Sequence, residues 1–215
     1  MEKLQETIQE AASLKIATEN CYVIEADIAD PEQVLRACDR VRILCPTLDG
    51  LVNNAAIPSE PEISKPLQDS SLEYWNQMMN VNVTAPWLIT RSIFPHMRTS
   101  GHVRVLFITS EAGWASTPGF GMYNVSKAAL NSLTHSMAEE YAHNFPGEDI
   151  QMNALVPGEA RTEMNQTSTQ SPYAIVSMAL ILLSHPKGGP NGRFFHRDGQ
   201  HLGFGYTEPY GKSLI

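Results

Sequence analysis

A chain of 215 residues can form one domain with a substantial core, and its hydrophobic (42%) and charged (18%) fractions are ordinary for a globular protein. The formal net charge of −8 argues against a surface built to hold a phosphate backbone or an anionic membrane. Cys21, Cys38 and Cys45 lie at no metal-ligand spacing and the seven histidines are scattered, which points to a reducing cytoplasmic setting and no metal site; no apolar run reaches bilayer length.

Residues 2–18 space Leu4, Ile8, Ala11, Ala12 and Ile16 along one face of an amphipathic helix. Residues 21–26 (CYVIEA) read as a strand closed by Asp27-Ile28. Asp30-Pro31 then starts a helix, with the aspartate as N-cap and the proline in the first turn. Residues 48–54 form the next strand, running into Asn53-Asn54-Ala55-Ala56, and the proline-rich loop at 58–66 is exposed. From 71 to 98, Leu72, Trp75, Met78, Met79, Val83, Trp87, Leu88, Ile93 and Phe94 keep helical spacing. Asn82, an amide among apolar neighbours four residues before Pro86, predicts a local break in that helix; a partly exposed helix asparagine is the competing explanation.

Residues 102–130 organise the rest. Val103, Val105, Leu106, Phe107 and Ile108 predict a strand buried on both faces, as in a parallel sheet. Thr109 and Ser110 stand where it gives out. A loop with Gly113, Pro118, Gly119 and Gly121 leads to a helix from near Met122 to about His143. On that helix Tyr123 and Lys127 share a face one turn apart. A fixed ammonium beside a phenol favours the phenolate and lowers the tyrosine pKa toward the working range. Tyr123 then exchanges a proton with a carbonyl or alcohol oxygen that Ser110 holds by a hydrogen bond. Taken alone, Tyr-x-x-x-Lys also describes an exposed helical pair; a strand-end serine thirteen residues earlier, with glycines between, favours the chemical reading. Beyond the helix come a strand at 151–156, the Pro157-Gly158 turn, Thr162, an apolar helix at 172–184 and a short strand Arg193–His196. The aromatic tail, with Phe204, Tyr206 and Tyr210, is expected to cover a sheet edge or a partner subunit.

Ser110, the Tyr123–Lys127 pair and the upstream Asn82 resemble the active site of the short-chain dehydrogenase/reductase family, and the resemblance runs through most of the chain. It implies an NAD(P)-dependent oxidoreductase that passes a hydride between a nicotinamide and a ketone or secondary alcohol. Asn82, Ser110, Tyr123 and Lys127 take the catalytic positions, with Asn82 at a helix kink holding a water that relays protons to the lysine. For the cofactor, NADP or NAD, the resemblance places Asp27 and the backbone at Ile28 against the adenine. A strand-end aspartate capping a turn explains Asp27 equally well. Asn54 and Ala55 lie along the cofactor, Tyr123 and Lys127 meet the nicotinamide ribose, and Pro157, Gly158, Ala160 and Thr162 bracket the nicotinamide. Ala56 stands where the family carries glycine, a strained position if the backbone there has a positive φ. The helices at 71–98 and 122–143 are expected to pair subunits in a homodimer or homotetramer, a core face within one monomer being the competing explanation.

One feature of the family is missing. A dinucleotide site of this type sets the pyrophosphate on a glycine-rich turn at a helix N-terminus, yet the first glycine here is Gly50. The resemblance thus implies an α/β fold with a Rossmann-like doubly wound parallel sheet lacking the first two strands and first helix. Residues 1–215 would form one incomplete domain, with Met1 internal to a longer protein. A non-catalytic family member that binds or regulates full-length subunits is the alternative. Either way, the strand at 21–26 is expected to lack a neighbour, and one edge of the strand at 48–54 to be unpaired.

Overall fold

Five strands make one sheet in the order β1-β2-β3-β4-β5 in a computed structural model that describes residues 2–19, 21–58, 67–115, 118–162 and 165–203: β1 is Gly50–Asn53, β2 His102–Ile108, β3 Asp149–Val156, β4 Arg193–His196 and β5 His201–Gly203. The first four are parallel, with Leu51 opposite Val105, Leu106 opposite Asn153 and Leu155 opposite Phe195; β5 returns antiparallel to β4. Helix α1 (Glu2–Ser13) and helix α2 (Pro31–Leu44) precede β1. Helices α3 (Leu72–Met79) and α4 (Ala85–Met97) lie between β1 and β2, α5 (Ala112–Ala115) and α6 (Gly121–Asn144) between β2 and β3, and α7 (Val176–Leu183) before β4.

Both faces of the central strands are covered, which is why β2 and β3 read as continuous apolar runs rather than alternating ones. On one face Val103, Val105, Phe107, Ile150 and Met152 pack with Val34 and Cys38 of α2, Ile93, Phe94 and Met97 of α4, and Leu130 and Met137 of α6. On the other, Leu106, Leu155 and Phe195 pack against Met178 and Leu182 of α7. Phe107, Met152 and Leu155 are wholly buried, each stabilising the fold by about 1.5–3 kcal/mol. The strand β2 also buries Arg104 (4% exposed), which donates to Asp149 Oδ2 at 2.7 Å and twice to the His185 carbonyl, at 3.1 and 2.7 Å.

The first helix ends at Ser13, short of residue 18, because Lys15 turns left-handed (φ 59°) and its N–H and that of Ile16 close back on the Ala12 and Ala11 carbonyls. Asp30 caps α2 as expected, accepting from the Glu32 and Gln33 N–H groups at 2.9 and 3.3 Å. Residues 21–26 lack a neighbouring strand among the described residues, as expected, and this corrects the strand assignment: they join no ladder, and Tyr22 is 55% exposed. An extended segment becomes a strand only where a neighbour takes its backbone groups. The edge of β1 away from β2 carries no strand among the described residues, and Val52 is 43% exposed there. The expected break at Asn82 is present: α3 and α4 are joined through a π-helical turn, Asn80–Thr84, with Pro86 in the first turn of α4. Ala56 has no positive φ, so the anticipated strain does not arise. Residues 59–66 and the tail with Phe204, Tyr206 and Tyr210 lie outside the described residues. No described helix is long and apolar enough to cross a membrane.

Candidate active site

The carboxyl ends of β1, β2 and β3 open on the same side of the sheet, where open α/β folds hold ligands. At the end of β2, Thr109 bonds back to the Leu155 carbonyl through its N–H and to Asn131 of α6 through its hydroxyl. This fixes α6 against the strand and turns the next residue, Ser110, toward Tyr123. The Ser110 hydroxyl is the hydrogen-bonding group that acts on the Tyr123 phenol and favours its ionised form. One turn along α6, Lys127 is 3% exposed, donates to the Ile108 carbonyl at 3.0 Å, and holds Nζ 5.5 Å from the Tyr123 ring centroid. Glycine is required in α5, where Gly113 touches this helix. A Cβ at Gly113 would collide with the Asn131 amide and stand 3.0 Å from the Lys127 carbonyl.

Electrostatics here differ from the expectation. Burial pushes the Tyr123 phenol above its ordinary value, and the bond with Ser110 draws it part of the way back. Burial lowers Lys127 to about 8. The ammonium therefore does not bring the phenol down toward neutrality: it lies over the ring rather than at the hydroxyl, and donates to a backbone carbonyl.

Asn82, 1% exposed, is a staple. Its Oδ1 accepts from Ile57 N–H at 2.9 Å, and its Nδ2 reaches the Ile57 carbonyl at 3.0 Å and the Ser126 hydroxyl at 3.1 Å. The π turn swings this amide off the helix toward the loop after β1 and toward α6, next to Lys127. Asn54 and Ala55 follow β1 directly and are exposed. Pro157 and Gly158 follow β3, Gly158 with φ 64°, and Ala160 is partly buried beyond them. Thr162 is exposed and pairs backbone to backbone with Asn165. The Asp27 carboxylate accepts from Ala29 N–H at 2.9 Å, its own N–H goes to Gln33, and Ile28 packs on the core. The described contacts tie both to the start of α2 and not to the Ser110–Tyr123 cluster.

The sequence reading passed over a second group at this end of the sheet. His196, ending β4, sits 2.9 Å from Asp198 and 3.8 Å from Glu111, the residue after Ser110. Arg197 reaches under the Pro157-Gly158 turn. Charged residues crowded at the end of an apolar strand, His-Arg-Asp-Gly, were the available signal. No described cluster of acidic, histidine or cysteine side chains could hold a metal.

The sequence model described as short chain dehydrogenase matches residues 1–172. The chain belongs to the short-chain dehydrogenase family. Among its relatives are dehydrogenase/reductase SDR family member 4 of Homo sapiens, 36% identical over 119 residues (55% of this chain, 40% of the relative), and 2-(R)-hydroxypropyl-CoM dehydrogenase of Xanthobacter autotrophicus, 34% identical over 149 residues (69% and 58%). The chain thus spans about two fifths of the length of the first of these. In structure it is similar to a short-chain dehydrogenase from Pseudomonas syringae, with TM-score 0.79 and 26% identity over 90% of this chain and 79% of that one. A Beutenbergia cavernae structure, named for an NAD(P)-dependent gluconate 5-dehydrogenase and carrying NADP at low occupancy, shares the fold, with TM-score 0.79 and 24% identity over 92% and 82%. Membership in this family accords with the parallel sheet and with Ser110, Tyr123 and Lys127 converging at its carboxyl end.

Proposed function

We propose that the protein of which this chain is part is an NAD(P)-dependent oxidoreductase acting on a ketone or secondary alcohol, with Tyr123 as its acid–base. The observation that carries this reading is buried Lys127, bonded to the Ile108 carbonyl at the end of β2 with its Nζ 5.5 Å from the Tyr123 ring centroid, and Ser110 acting on the same phenol. The residues fit the ribose and nicotinamide end of such a cofactor: an ammonium with three donors, one of them on Ile108, stands beside a phenol at the end of β2, and the left-handed Gly158 turn follows the neighbouring strand β3. Lys127 would hold the ribose, and the backbone from Pro157 to Ala160 with Thr162 would flank the nicotinamide. When bound, the nicotinamide supplies or accepts the hydride.

The remaining chemistry belongs to the chain. Because burial keeps the phenol protonated at neutral pH, Tyr123 is ready to give its proton to a carbonyl oxygen. Ser110 orients that same oxygen and favours the negative charge left on the tyrosine. In the reverse direction, phenolate takes the proton from an alcohol. Asn82 holds α6 against the loop after β1 so that Lys127 and Tyr123 keep their separation; a water relay through it is part of the same proposal. NADP-bound family structures support NADP or NAD as the cofactor. A homodimer or homotetramer through α3, α4 and α6 is also proposed, supported by exposed Leu72, Trp75 and Trp87 on that side, and sedimentation tests it. The direct test of the function is oxidation of NADPH or NADH with a panel of ketones. A folded Tyr123→Phe variant should lose about 10²-fold or more in turnover. Undiminished turnover in that variant overturns the proposal.

A further inference from the structure

Sheet topology brings the end of β4 beside the turn that follows β3, and one side chain crosses between them. The Arg197 N–H donates to the Val156 carbonyl at 3.0 Å, continuing the ladder one residue past β4. Its guanidinium then folds back: Nη1 donates to the Pro157 carbonyl at 3.1 Å and to the Glu159 carbonyl at 2.9 Å, spanning Gly158. Gly158 is left-handed, and a Cβ there would stand 3.1 Å from both Arg197 Cζ and His196 Nε2. The arginine is therefore packed against the turn as well as bonded to it. Two carbonyls that point the same way in a left-handed turn repel each other, and a cation between them removes that repulsion.

We infer that Arg197 is a positioning residue that holds the Pro157–Gly158–Glu159 turn in the shape that receives the nicotinamide. This rests on the site reading proposed above. A lysine is not equivalent, since its single ammonium on a flexible stem lacks the planar guanidinium that packs beneath Gly158.

The test compares Arg197→Gln, Arg197→Lys and, as a control on the same strand, Arg193→Gln. Backbone order parameters of Gly158, Glu159 and Ala160 should fall from about 0.85 to below about 0.6 in Arg197→Gln, fall less in Arg197→Lys, and stay unchanged in Arg193→Gln. Titration with reduced nicotinamide mononucleotide should show about tenfold weaker binding for Arg197→Gln and unaltered binding for Arg193→Gln. A turn that stays as ordered in Arg197→Gln as in the unaltered protein overturns the role of Arg197. A loosened turn with unchanged nicotinamide affinity overturns its link to the cofactor. Failure of the unaltered protein to bind the nicotinamide mononucleotide overturns the site reading itself, and is recognisable because the order parameters still report on Arg197.

Discussion

The Lys127 ammonium stands 5.5 Å from the centre of the Tyr123 ring, and burial drives both groups toward their neutral forms, the phenol by a raised pKa and the amine by one lowered to about 8. The hydrogen bond from Ser110, not the lysine, is what draws the phenol downward. Ser110→Ala should therefore move the Tyr123 titration to higher pH. If Tyr123 is the base for alcohol oxidation, the alkaline rise in that rate should move with it. Tyrosinate ultraviolet absorbance, read as a difference against Tyr123→Phe, measures the shift without needing turnover. An unmoved titration would assign the tuning of the phenol to another group.

Lys127 should cost the fold stability at neutral pH. Its folded pKa of about 8 lies below its ordinary 10.5, so between those values the unfolded chain binds more protons than the native one. Stability therefore rises with pH across that window. The charged form is disfavoured by about 3 kcal/mol at pH 7, partly offset by the bond to Ile108. Lys127→Met should be more stable than the unaltered protein at pH 7 by about 1 kcal/mol or more, with the advantage gone by pH 10, as measured by urea unfolding at both pH values. An advantage independent of pH would mean that packing, not charge burial, explains it.

Gly113→Ala should be disproportionately harmful for one methyl group. The new Cβ has nowhere to go, since it meets the Asn131 side chain and the Lys127 backbone at once. Separating α5 from α6 should cost about 1–3 kcal/mol and displace Lys127 from Ile108, lowering both melting temperature and turnover. Gly147→Ala, at a left-handed glycine with open space around it, should lower stability only, through its positive φ.

Acid should weaken the fold through Asp149. Burial raises its carboxyl, but the bonds from Arg104 and Gln151 outweigh that and hold it below its ordinary value of 3.8. Its contribution is therefore complete above that value and lost as pH falls through the lower folded one. Asp149→Asn should destabilise by about 3–5 kcal/mol at pH 7, since it leaves Arg104 buried beside a neutral amide. The deficit should shrink below pH 4 in a thermal-melt series. A deficit constant with pH would remove the charge argument.

Much of this was legible from periodicity alone. The run ending at Ile108, the four-residue spacing of Tyr123 and Lys127, and the Asp30-Pro31 cap each depend on neighbours close in sequence, and each stands where expected. What failed depends on neighbours distant in sequence. Residues 21–26 have strand composition, but without the neighbour they were expected to lack they form no strand. The pKa of Tyr123 follows from how deeply α6 is buried, which no spacing reports. Arg104 reads as a flaw in an apolar strand until Asp149 and the His185 carbonyl are brought beside it. Arg197 acquires a role only because β4 pairs with β3, and β5, three residues long, is too short to show a pattern.

Asn82 offers the sharpest test of how the two halves of the site are joined. Its amide satisfies both backbone groups of Ile57 and reaches Ser126, so one side chain links the loop after β1, the π turn and α6. Asn82→Ala leaves the Ile57 N–H and carbonyl without these partners in a half-buried setting, a loss of about 2–4 kcal/mol from two hydrogen bonds and the exposed void. The π turn itself persists only because tertiary contacts reward the swung-out amide, so Asn80–Thr84 should relax toward regular α-helix. Urea unfolding should show the loss, and amide exchange at Ile57 should accelerate far more than exchange at Val105 in β2. If Ile57 exchanges at its former rate in a folded Asn82→Ala protein, the loop is held by something other than this asparagine, and its link to the catalytic helix does not run through Asn82.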